Sequence, residues 1–211
     1  MKKLSIINEN IFDGIGKRSK GGVVRKEDEP EQIDLELPSG TIWAACNLGA
    51  SSPEKCGNYY AWGETEPKSY YDLDTYKFGK NEYHLTKYNG EDRKTILEPE
   101  DDAANAVLGG KWHIPTKEQM QELLDNTTIK KSELNGVKGM LFTSKINGNT
   151  LFFPYSGSKR SSSIIGEGHW SYYWSSFLTE PPFDRLPIPS KIFSFILLNF
   201  FIIIIFYPKH L

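Results

Sequence analysis

From about Ile33 onward the chain is built of short apolar runs separated by turn residues. Ile33-Asp34-Leu35-Glu36-Leu37 alternates with period two, Pro38-Ser39-Gly40 turns the chain, and Thr41-Ile42-Trp43-Ala44 resumes it. That pattern predicts a β-hairpin. Residues 65–96 are polar and tyrosine-rich with no sustained period, and predict a long surface loop of the kind that often carries function. Pro99, three acids (Glu100, Asp101 and Asp102) and then Ala103, Ala104 and Ala106 lead to Gly109-Gly110. Proline tolerates a first helical turn and acids favour its dipole, so a helix is expected to start at Pro99. A second helix follows from the capping box of Thr116 and Gln119, with Met120, Leu123 and Leu124 on one face and Asp125-Asn126 as its stop. Asn135-Gly136 and Asn147-Gly148 flank residues 137–144. As hairpin turns they predict a three-stranded meander with residues 127–130 and 150–153. The aromatic stretch at residues 170–176 predicts one more strand. The expected fold class is therefore α+β, two helices on a small twisted, mostly antiparallel sheet with long loops.

Both ends depart from this texture. Residues 1–26 hold seven Lys or Arg and two acids before Glu27-Asp28-Glu29 reverses the sign, so residues 1–30 read as a basic arm with little to bury. Its Gly14, Gly16, Lys17 and Ser19 lack both the first glycine of a phosphate loop and a clear preceding strand. The body is assigned to residues 31–178. Beyond it, residues 179–211 contain no glycine, and from Ile192 to Tyr207 there are five Phe, six Ile and two Leu without a charge. Leaving those side chains in water would cost roughly 20–40 kcal/mol. As a helix the run spans about 24 Å, short of a hydrocarbon core near 30 Å, so membrane contact by Ile192 to Tyr207 is not the favoured reading. The composition break points instead to a shifted reading frame after about Phe177.

Size and charge narrow the classes. At 211 residues the chain suits one domain with a tail, and 25 basic against 27 acidic residues give a net charge of −2, without the positive excess of a nucleic-acid binder. Cys46 and Cys56 are the only cysteines, too few for a disulfide framework or a structural zinc site, and no disulfide is expected between them. The N-terminus shows only a four-residue apolar run after Lys2 and Lys3, short of the h-region of a signal peptide, so no export signal is read and the compartment stays open.

Ordered segments of the body resemble the Fibrobacter succinogenes major paralogous domain family. The resemblance rests on Ile33-Asp34-Leu35-Glu36-Leu37-Pro38-Ser39-Gly40-Thr41-Ile42-Trp43-Ala44-Ala45-Cys46-Asn47-Leu48-Gly49-Ala50, on Gly57-Asn58-Tyr59-Tyr60-Ala61-Trp62-Gly63-Glu64 and on Leu97-Glu98-Pro99-Glu100-Asp101-Asp102-Ala103-Ala104. Gly110-Lys111-Trp112-His113-Ile114-Pro115-Thr116, Asn135-Gly136-Val137-Lys138-Gly139 and Tyr172-Tyr173-Trp174-Ser175-Ser176 continue it. That family is similar to the formylglycine-generating enzyme and to C-type-lectin-like folds, which implies a scaffold carrying ligand-facing loops, with a C-terminal aromatic region, here residues 166–176, on the binding face. The chain departs from the family pattern at His113, where arginine is common, at Cys56, and throughout the region after Ser176.

The residues themselves offer little catalysis. His84, His113, His169 and His210 show no spacing that pairs a base with a nucleophile. The formylglycine-generating chemistry implied by the resemblance needs a reactive cysteine pair in the C-terminal part, and no cysteine follows Cys56. No catalytic residue, metal or cofactor is therefore expected. Glu98, Glu100, Asp101 and Asp102 would suit a hard cation, but helix-start acids explain them. Trp43, Trp62, Trp112 and Trp174 are read as core. The expected ligand face comprises Lys159, Arg160, His169, Trp170 and Tyr172, since aromatic planes stack on sugars or apolar side chains and Arg offers forked hydrogen bonds. The expected role is non-catalytic recognition of a glycan or protein surface. The alternatives are a degenerate formylglycine-generating-type enzyme and a membrane-tethered or truncated relative.

Overall fold

The structure is a computed structural model that describes residues 30–81 and 84–178. The basic arm through residue 29, the apolar run, and with them the reading-frame and membrane-contact readings, lie outside the described residues. Within them the protein is mixed α and β, with two helices and four small antiparallel sheets.

The first sheet is the expected hairpin in shorter form. Strands β1 (Gln32–Asp34) and β2 (Ile42–Ala44) pair antiparallel with Ile33 opposite Trp43. Alternation continues in sequence through Leu37, yet Glu36 adopts φ 51 and ends the ladder. The kink leaves Leu35 (0% exposed) and Leu37 (3%) pointing into the core.

Residues 65–96 differ from the long surface loop that their composition suggests. A capped 3-10 turn at Leu73–Thr75 and the strands β3 (Gly79–Asn81) and β4 (His84–Leu85) organise the segment. Tyr76, Phe78 and Tyr88 are buried, Tyr88 fully. With Trp62 and Leu97 they form a second apolar cluster. Its rings meet edge to face, at 4.8 Å for Trp62–Tyr88 and 5.3 Å for Phe78–Tyr88. Periodicity misses this cluster because its members are anchored by hydroxyls and carboxylates and follow no regular element.

The first helix also begins later than expected. Pro99–Asp101 is a 3-10 turn, and α1 (Ala103–Leu108) starts after Asp102, whose carboxylate accepts from the Asn105 N–H at 3.0 Å. The other Asp102 oxygen accepts from Ile114 N–H at 2.8 Å, tying the helix start to the segment that leads into α2 (Lys117–Asn126). The reciprocal box of Thr116 and Gln119 opens α2, which buries Met120 and Leu123. Thr116→Ala removes one cap and is expected to cost about 1 kcal/mol, lowering Tm by roughly 2–4 °C in a thermal melt; an unchanged Tm would show that the box is dispensable.

The meander appears as β5 (Thr127–Leu134), β6 (Val137–Ser144) and β7 (Thr150–Pro154), paired in that order. Asn135 and Gly136 both take positive φ, as a two-residue turn between right-twisted strands requires. Phe142 and Leu151 join Leu35, Leu37, Trp43, Met120 and Leu123 in the main core.

Strands β8 (Ser158–Arg160) and β9 (Ser163–Ile165) form the last hairpin. Residues 170–176, by contrast, are not the strand that their aromatic content predicts. They run as a stitched segment with single bridges, Gly157 to Ser171 and Ile96 to Phe177. Side chains do the stitching: Trp62 Nε1 donates to Ser175 O at 3.0 Å and Trp174 Nε1 to Tyr60 O at 2.8 Å. Among the described residues no helix is long and apolar enough to cross a membrane.

Candidate functional site

A cleft of about 1150 Å³ opens between the two apolar clusters. Trp43, Met120 and Leu151 of the main core and Tyr76 of the second line it. The rest of its wall comes from residues far apart in sequence, including Asn47, Tyr59, Tyr60, Tyr71 and Trp112.

The structure divides the five residues expected on the ligand face. Lys159, Arg160 and Tyr172 line the cleft, whereas His169 and Trp170 do not. Lys159 is held: its ammonium donates to Lys68 O at 3.1 Å and lies 5.5 Å from the centroid of Tyr71. Arg160, at the end of β8, is exposed. His169 is also exposed, its backbone N–H donating to Gly166 O. Trp170 is half-buried and packs over Gly166, where a Cβ would lie 1.9 Å from Trp170 Cε2. Its ring meets that of Tyr172 at 4.7 Å, so it buttresses the cleft wall through Tyr172.

Several wall residues escaped the sequence reading. Tyr71 is tied to the β8–β9 hairpin by paired backbone hydrogen bonds with Ser161, each 2.9 Å. The Tyr71 hydroxyl accepts from Lys68 N–H at 2.8 Å and donates to Tyr59 O. Tyr59 in turn donates to Ser156 O at 2.6 Å. This chain of hydroxyl and carbonyl groups fastens the tyrosine-rich segment to the far side of the cleft. No local signal marks Tyr71, since Ser161, which ties it to the far hairpin, lies ninety residues away in sequence. Of the four tryptophans read as core, Trp43 and Trp62 are buried, and Trp112 and Trp174 are half-buried in the cleft wall.

Electrostatics separates two regions. In the cleft, burial pushes the phenol of Tyr59 well above its ordinary range and that of Tyr173 to about 12. These groups stay neutral hydrogen-bonding hydroxyls at physiological pH. Burial likewise raises both Cys46 and Cys56, the first with help from Glu31 and the second from Glu167. Both thiols are free, and both are poor nucleophiles at neutral pH.

Charge concentrates instead behind the second cluster. Asp101, 1% exposed, accepts from Lys77 Nζ at 2.6 Å, Lys87 Nζ at 2.5 Å and Tyr88 Oη at 2.7 Å. Burial acts to raise the Asp101 carboxyl, but these three donors hold it below the usual range. Hydrogen bonds from Lys87 and then Lys94 lower Glu98 to about 2. Oxygens of Glu98, Glu100 and Asp101 lie within 4.8 Å of one another, the spacing of a cation site. The Lys87 ammonium ion-pairs with all three. The acids read from sequence as helix-start residues thus have separate roles, Asp102 as the cap and the other three as partners of lysine.

No family model, no curated protein and no solved structure matches this chain.

Proposed function

We propose that the protein is a non-catalytic recognition module with C-type-lectin-like organisation, taking a glycan or protein surface in the cleft between its two cores. The observation that carries this reading is the character of the cleft wall. Tyrosine and tryptophan rings stand there among neutral hydroxyls and the Asn47 amide, and Lys68, Lys111, Lys159 and Arg160 also line it. Aromatic planes provide stacking faces for sugar rings or apolar side chains, and a rim guanidinium adds forked hydrogen bonds to amide or carboxylate oxygens. Raised thiols suit binding better than turnover and weigh against the degenerate-enzyme alternative. The resemblance to the Fibrobacter succinogenes major paralogous domain family supports the same reading, because the aromatic region that it implicates contributes Tyr172, Tyr173 and Trp174 to the wall.

The full chain probed on a glycan array is expected to give discrete signals, weakened at least about tenfold by Tyr172→Ala and by Arg160→Ala, equivalent to about 1.4 kcal/mol or more. His169→Ala, outside the cleft, is expected to leave them unchanged. An empty array would remove glycans and leave a protein surface as the ligand. Equal signals from all three variants would remove the cleft as the site.

A further inference from the structure

The cleft wall is cationic in a chain that is not. The whole sequence carries a net charge of −2, yet four cations line the cleft, Lys68, Lys111, Lys159 and Arg160, against two acids, Glu31 and Asp72. Lys68 is neutralised by the buried Glu64 at 2.8 Å and donates also to Thr75 O at 2.7 Å. Asp72 is engaged as the cap of the Leu73–Thr75 turn, accepting from Leu73 N–H at 2.6 Å. Among the described residues no carboxylate pairs with Lys111, Lys159 or Arg160.

Lys159 differs from the other two in being half-buried, while Lys111 and Arg160 are exposed. An ammonium has three N–H donors. One goes to Lys68 O at 3.1 Å, the Tyr71 ring centroid lies 5.5 Å away, and the other two donors have no acceptor among the described residues. A carbonyl dipole and a ring face hold this charge in place without neutralising it. A partly desolvated cation gains more from an anion than one in open water does. Backbone pairing fixes where the cation stands. Ser161, just after β8, pairs with Tyr71, and Gly157, just before β8, bridges to Ser171. The strand that carries Lys159 and Arg160 thus has Tyr71 attached at one end and the segment leading into Tyr172 at the other.

We propose that the cleft takes an acidic glycan, a chain of hexuronate sugars in which one carboxylate pairs with Lys159 and Arg160 while a sugar ring stacks on the tyrosines beside them. This rests on the recognition reading of the cleft and narrows it to one ligand class. The division of labour suits a carboxylate: the ammonium is a fixed point charge, and the exposed guanidinium of Arg160 can turn to give a forked pair of hydrogen bonds. A hexuronate carries its carboxylate and a stackable face on one rigid ring, whereas an acidic peptide places the carboxylate on a flexible stem remote from any apolar face. Room is ample, since about 1150 Å³ exceeds the roughly 300–1,000 Å³ usual for a single small ligand and admits several linked rings. An exposed Lys111 in the same cleft meets a further carboxylate of such a chain.

Calorimetric titration of the full chain with hexagalacturonate and hexamannuronate, each beside its methyl ester, tests it, because acid and ester differ only at the carboxyl groups. At about 0.05 M salt one of the two acids is expected to bind at least about tenfold tighter than its ester, and the gap should narrow at about 0.5 M salt as screening shortens. Lys159→Met keeps the apolar stem and Arg160→Gln changes an exposed position. Each is expected to bring the acid to within about threefold of the ester. Equal binding of acid and ester would overturn the proposal while leaving the cleft as a site for neutral ligands. Binding of none of the four would overturn it too, and the neutral sugars of the glycan array then report separately on the recognition reading. A preference for the acid that survives both substitutions would overturn it, as would a Lys159→Met chain that melts like the parent but loses acid and ester alike. Hexaglutamate that binds as tightly as the better acid would assign the cleft to an acidic protein surface instead.

Discussion

Asp101→Ala is expected to lower the stability of the protein by about 3 kcal/mol, a Tm decrease of roughly 6–12 °C for a body of this size. The substitution removes an acceptor from three donors at once. The buried Tyr88 hydroxyl loses its acceptor where water has little access, and Lys87, with a side chain 21% exposed, keeps Glu98 and Glu100 but loses the most buried of its three carboxylates. Lys77 is 46% exposed and can turn to solvent, which places the loss at the lower end for a broken buried pair. The damage should spread into the second cluster, because Tyr88 packs on both Trp62 and Phe78. Near-ultraviolet circular dichroism should therefore fall with Tm. The same carboxylates set the acid limit of the fold. Glu98 and Asp101 titrate below their unfolded values, so folding favours their ionised forms. Their contribution is whole above about pH 4.5, the ordinary Glu value, and is lost as the pH falls through the folded value, about 2 for Glu98. Denaturant titrations between pH 5 and pH 2 should show a decline in the unsubstituted protein and a shallower one in Asp101→Ala. Parallel curves would exclude the cluster as the acid-sensitive element.

Gly166→Ala is expected to destabilise the protein by about 2–3 kcal/mol and to break the buttress of the cleft wall. Two costs combine. Gly166 holds φ +79, a conformation that costs an L-residue about 1–2 kcal/mol. The new methyl would also lie 1.9 Å from Trp170 Cε2, and relieving such overpacking typically costs about 1–3 kcal/mol. Because the ring must move, its 4.7 Å partner Tyr172 loses support in the wall. Gly168→Ala separates the two costs, since Gly168 has φ +76 with nothing within 4 Å of its Cβ position. It should show the conformational cost alone, about 1 kcal/mol, with unchanged tryptophan fluorescence. Equal losses in the two variants, with fluorescence unmoved in both, would refute the account of Trp170 as a buttress.

Local chemistry made much of the molecule readable in advance. The capping box at Thr116 and Gln119, the Asn135-Gly136 turn and the apolar spacing of α2 act over a few residues, so α2 and the β5–β6–β7 meander follow directly from the chain. Where the reading erred, a distant partner decided the outcome. Asp101 and Asp102 look alike as helix-start acids, but Asp102 caps α1 while Asp101 is drawn into the second core by Lys77, Lys87 and Tyr88. The tyrosine-rich segment read as surface supplies that core because its rings bury while their hydroxyls find carbonyl or carboxylate partners, as Tyr76 does at Trp62 O and Tyr88 at Asp101. The aromatic stretch at residues 170–176 is held by indole N–H groups donating to carbonyls rather than by a ladder.

The sequence by itself determined the mixed α and β character, the second helix and the meander. These depend on spacing, capping and turn residues that act on their immediate neighbours. Only the tertiary structure decided which aromatics face the cleft and that Trp170 supports Tyr172 from behind. Those outcomes depend on contacts between residues that can lie more than a hundred positions apart, and neither periodicity nor composition records which distant groups the folded chain brings together.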